Sequence, residues 1–89
     1  MQNVSFTVHI FKEGDVFVAH VPGLDVSSCG DTTEAARRNI QDAVRGFLET
    51  SEEIGTLTEI LEEGGYRREG DVWRAPELVS TDRLSVRLG

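Results

Sequence analysis

Residues 20–32, HVPGLDVSSCGDT, gather a histidine, two serines, the single cysteine and two aspartates. These are the residue types of nucleophilic hydrolysis. Such a site needs a nucleophile, a base that touches it and a carboxylate that orients the base. Ser27, Ser28 or Cys29 would be the nucleophile, and His20 or His9 the base. The spacing argues against it. There is no G-x-S-x-G elbow to expose a serine. His20 falls in the alternating run VFVAHV, where a side chain simply faces solvent. Cys29, just before Gly30, reads as a small, partly buried apolar residue. No catalytic residue is therefore assigned, and the chain is not expected to be an enzyme. Metal and cofactor chemistry fare no better. One cysteine and two histidines form no C-x-x-C or H-x-x-x-H pair, whereas structural zinc takes four close ligands. No G-x-x-x-x-G-K phosphate loop is present.

The same stretch reads readily as architecture. Val4, Phe6, Val8 and Ile10 alternate, which predicts one half-buried strand. Gly14-Asp15 is the turn to a second strand, Val16–Val21, and Pro22-Gly23 ends the hairpin. Val26–Cys29 make a short third strand. The period then changes. Ala36, Ile40, Ala43, Val44, Phe47 and Leu48 form one apolar stripe of a long helix. Asp31 or Thr32 is placed to cap it, with Glu34 in the first turn. Gly46 is read as a site of close packing, and Gly55 as the stop. A shorter helix comes next, with Thr56 and Glu59 at capping-box spacing and a Gly64-Gly65 stop. Residues 66–75 read as a hairpin about Gly70-Asp71, ended by Pro76. Its EGDV echoes the EGDV of the first hairpin, because both turns need the same chemistry. Leu84, Val86 and Leu88 alternate and predict a closing strand.

Together these give an α+β fold. An antiparallel sheet carries one long helix packed on it, a β-β-β-α-β core, plus a short helix and hairpin. The expectation is a single domain over 1–89, with its core in 1–55 and 77–89 and an appended helix–hairpin at 56–76. Eighty-nine residues bury a limited core, so a homo-oligomer is expected. Tyr66 and Trp73 are the candidate interface, since aromatic residues are enriched in such contacts.

Sixteen acidic residues against nine basic ones leave a net charge of -7. Such a chain repels phosphate backbones and anionic membranes and attracts a basic partner. No apolar run is long enough to span a bilayer. The alternating N-terminus has no signal-peptide layout, and one cysteine forms no intrachain disulfide. A cytoplasmic location is expected.

The run FVAHVPGLDVSSCGDTTEAARRNIQDAVRGFLE resembles the HicB antitoxin family. It has an aromatic strand, PGL, a small strand ending in GDT, then E-A, N-I, A and F-L-E down the helix. Residues 4–50 carry the similarity. The resemblance implies a domain without enzymatic activity that binds a HicA-type toxin, a small basic RNA-cleaving protein, and covers its catalytic surface. HicB proteins usually add a C-terminal DNA-binding module. Here only a strand is expected after Pro76, so DNA binding is not expected. Ala35 stands where the family often has an acidic residue.

The acid excess lies in residues 1–65, with 12 acids and 4 bases. Asp15 and Asp25 in the sheet turns, and Glu49, Glu52 and Glu53 at the end of the long helix, are the candidate partner contacts. A rival reading is a small RNA-binding or RNA-directed protein. It would use Arg67, Arg68, Arg74, Arg83 and Arg87, with Tyr66 and Trp73 stacking on bases.

Overall fold

The structure is a computed structural model and describes residues 2–89. The chain runs β1 (Asn3–Ser5), β2 (His9–Glu13), β3 (Val16–Val21), β4 (Val26–Gly30), α1 (Thr33–Glu53), α2 (Leu57–Glu63), β5 (Arg67–Glu69) and β6 (Val72–Arg74). The fold is α+β, with one long helix. Strands β2, β3 and β4 form an antiparallel meander. A second three-stranded sheet has the order β1-β6-β5, with β1 parallel to β6. Both Gly-Asp turns close two-residue hairpins, Glu13 facing Val16 and Glu69 facing Val72. Gly14 and Gly70 each take φ 62°, the left-handed first position of a type II′ turn. The repeated EGDV is one turn device used twice.

Register sorts the meander into two faces. Ala19 lies between Ile10 and Ser28, and Val21 faces Val26. This side meets α1. Ala36, Ile40 and Val44 of the helix are buried against it. Ala43, Phe47 and Leu48 flank that stripe half-buried. Thr32 caps α1, its Oγ1 accepting from the Ala35 N–H at 3.0 Å. Asn39 Nδ2 donates to the Cys29 carbonyl at 2.8 Å and ties the helix to the edge of β4. The contact is close. A Cβ on Gly30 would lie 2.6 Å from the Ala36 nitrogen, so only glycine lets the helix begin directly over its own preceding strand.

Several expectations change. The first strand is two, because residues 3–5 pair with β6 and residues 9–13 with β3. The sheets are accordingly not wholly antiparallel. The helix–hairpin at 56–76 is not appended: Leu61, Tyr66 and Trp73 lie in the main core. The closing strand does not form. Residues 75–89 have no regular structure, and Leu84, Val86 and Leu88 are more than four-fifths exposed. The segment 77–89 thus contributes nothing to the core. Ala75 makes the last ladder bond, donating to the Ser5 carbonyl at 3.0 Å. Pro76 then has no N–H to continue it. The strand that pairs with β1 is β6, in a second sheet. The capping box of α2 is also absent, since Thr56 makes no side-chain cap bond. Its hydroxyl instead donates to the Ser51 carbonyl at 3.4 Å. Among the described residues no helix is long and apolar enough to cross a membrane.

Gly30 and Gly46 make opposite predictions. A Cβ on Gly46 meets nothing within 4 Å, so its expected packing role falls away. Gly46→Ala should raise stability by about 0.5–1 kcal/mol. Gly30→Ala should lower it by about 1–3 kcal/mol, as overpacking does. Urea unfolding of the two variants checks both signs.

Candidate functional site

Strand alternation disperses the cluster of catalytic residue types. His20 faces His9 on one side and Ser27 on the other. These three share the face turned away from α1, as does Cys29, which is exposed rather than partly buried. Ser28 faces Ala19 and so points to the helix side. The two serines therefore occupy opposite faces. His20 Nε2 lies 3.7 Å from Asp25 Oδ1, but the aspartate side chain is 92% exposed, and such a pair contributes little. Among the described residues no hydrogen bond joins either histidine to Ser27, Ser28 or Cys29. Nor does any group of three His, Cys, Asp or Glu residues there offer a metal site.

What the stretch builds is a joint. Asp25 takes φ 55°, a conformation aspartate tolerates better than most residues. Its N–H donates to the Val21 carbonyl at 3.1 Å and closes the turn. At Gly23, with φ 86°, a Cβ would sit 2.8 Å from the Gly64 carbonyl oxygen. The PGL turn thus rests backbone-to-backbone on the end of α2.

The acidic candidates fall in different places. Asp15 is exposed in the β2–β3 turn, and Asp25 lies at the other end of β3. α1 starts beside Gly30, which pairs with Phe17, and runs back along β4. Its acidic end is therefore remote from Asp15. Glu49 and Glu52 come together there. They line an open groove of about 330 Å³ between α1 and β1, together with the apolar Val4, Phe6, Val44, Leu48 and Leu57 and the polar Gln2, Asn3, Gln41 and Arg45. Glu53 is exposed nearby in the last turn of the helix. Two carboxylates against one guanidinium leave the groove net acidic, with apolar side chains beside them. Alternation marks Val4 and Phe6 only as strand residues. Nothing local announces their part in the groove, because β1 is held there by β6, whose residues are some seventy positions away in sequence.

Tyr66 and Trp73 are 3% and 5% exposed. Their rings pack in this chain's own core, so they are not available as an oligomer interface. Trp73 Nε1 donates to Gln2 Oε1 at 2.9 Å. The Tyr66 hydroxyl is buried with no hydrogen-bond partner among the described residues.

The arginines of the last third are partly engaged. Arg74 Nε pairs with Glu69 Oε2 at 2.6 Å, and Arg68 Nε donates to the Gly70 carbonyl at 3.1 Å. Comparison with known proteins finds no matching family model, no matching curated protein and no matching solved structure.

Burial pushes the Tyr66 phenol above the ordinary tyrosine value, because a phenolate there would lose its water. The folded state therefore holds this proton more tightly than the unfolded chain. Stability is unaffected below about pH 10, where the free phenol stays protonated, and falls as pH rises beyond it. Tyr66→Phe should leave stability at neutral pH equal or higher, since it removes a buried unpartnered hydroxyl. It should also remove this part of the alkaline loss. Thermal unfolding at neutral and alkaline pH measures both effects.

Proposed function

We propose that this chain is a HicB-like antitoxin, or a stand-alone homologue, of a type II toxin–antitoxin system. On this reading it neutralises a HicA-type RNA-cleaving toxin in the cytoplasm by protein–protein binding and catalyses nothing itself. The observation that carries the reading is the net acidic groove at the end of α1, where Glu49 and Glu52 outnumber Arg45 beside Val4, Phe6, Leu48 and Leu57. A toxin that grips RNA must present a positive surface. A blocking protein does best with negative charge in matching layout, which speeds encounter and disfavours wrong partners. The apolar side chains of the groove supply area whose burial contributes regardless of salt. The resemblance over residues 4–50 supports the same reading, and the meander followed by a long helix has the β-β-β-α order at the start of the expected core.

The RNA-directed alternative is weaker. Base stacking needs exposed aromatic faces, and Tyr66 and Trp73 are both buried. Two of its five arginines are already held by Glu69 and the Gly70 carbonyl.

Charge reversal separates the readings. Glu49→Lys, Glu52→Lys and Glu53→Lys together should slow association with a HicA-type toxin by about tenfold or more at low salt, in line with electrostatic steering. The unmodified protein should associate more slowly as salt rises. The fold should be retained, because all three side chains are exposed. Stopped-flow association rates insensitive to both changes would count against the acidic surface as the recognition site.

A further inference from the structure

The chain carries a segment with the pattern of a strand, and an open sheet edge to receive one. From Pro76 onward the backbone forms no sheet, yet Leu84, Val86 and Leu88 keep the two-residue period of a strand. Leu78 and Val79 are exposed as well, and these five apolar side chains are 54–89% exposed. The Cα radius of gyration is 15.1 Å, and the long axis is 49 Å against 29 and 20 Å. A domain of this length ordinarily has a radius near 12 Å, about 3 Å less. Residues 76–78 still line a cleft with Thr7 and His9, and the segment beyond Leu78 is an arm that leaves the body.

The free edges of the sheets differ in what they can accept. At β4 the Cys29 carbonyl is already taken by Asn39. β5 carries Arg67 and Arg68, which disfavour a strand bearing Arg83 and Arg87. β1 is three residues long and borders the groove of α1. β2 offers five residues on the edge of the meander. Beside them Phe11 is 59% exposed and Val16 36%. With Val18, which faces Phe11, they form an apolar strip on the face that α1 leaves uncovered. Glu13 and Asp15 at its end outnumber Lys12 and favour the arm's arginines.

We infer that residues 83–88 add as a strand to the β2 edge of a second copy of this chain, reciprocally, laying Leu84, Val86 and Leu88 beside Phe11. The second copy is the matching occupant because every chain presents both halves, one arm and one edge. Charge agrees, since residues 1–65 carry net -8 and the arm's residues 83–89 carry two arginines and no acid. Leu84 lies nine positions beyond Ala75, a reach of about 30 Å when extended, enough to cross to a neighbouring body. This interface replaces the one expected at Tyr66 and Trp73. It leaves the Glu49–Glu52 groove free and is independent of the proposed function.

Light scattering on the full chain at high micromolar concentration tests it. The expected mass is twice the 9.8 kDa of one chain. Val86→Pro, which removes a ladder N–H from an exposed position, should halve that mass. Phe11→Glu, which charges the edge strip, should do the same. Circular dichroism of both variants should match the wild type. A monomeric wild type overturns the inference. So does a Phe11→Glu protein that stays dimeric while Val86→Pro dissociates, because the arms would then pair elsewhere, for instance with each other.

Discussion

The contact between Gly30 and the first turn of α1 sets the geometry of the whole domain. A Cβ at that position would collide with Ala35 and Ala36. Without it, the helix starts directly on the strand it has just left and is pulled back along β4. Ala36, Ile40 and Val44 then pack in one buried cluster with Ala19 and Val21. In a chain of 89 residues this is a large part of the available apolar burial, and such domains have little stability to spare. The Thr32 cap and the Asn39 bond to Cys29 hold the same junction with polar groups. The run whose residue types suggest a catalytic cluster is therefore the hinge on which the domain is built.

Helix direction then decides where the surfaces lie. Because α1 runs back along β4, its acidic end reaches β1, and Glu49 and Glu52 border the groove there. Because it covers only one side of the meander, the side with Phe11 and Val18 stays open. Self-association through that side and partner recognition at the groove would use different surfaces of one small body. A single chain could then do both.

Much of the frame is legible in local sequence. Alternation locates β3, Gly-Asp locates both hairpins, and the 36-40-44 spacing locates the buried stripe of α1. The remainder depends on pairings between distant residues. β1 is held in place by β6, and Trp73 is bonded to Gln2. No periodicity in 1–10 or in 66–76 announces either. Residues 84–88 show the opposite failure, since their pattern is that of a strand but no edge of the same chain receives it. A short hairpin suggests surface positions for Tyr66 and Trp73, whereas their burial comes from the α2–β5 return that places them over the core. At the candidate site, composition identifies the acidic residues only as a group. Topology shows that Glu49 and Glu52 share a groove while Asp15 lies at the far end of the sheet.

On the proposed function, this protein acts by covering the RNA-gripping surface of a basic toxin. The most direct measurement is RNA cleavage by a HicA-type toxin titrated with this protein. Cleavage should fall in proportion to added protein and stop near a fixed stoichiometric ratio, with the protein itself unchanged. Cleavage that continues undiminished at a large excess of folded protein would contradict the proposal.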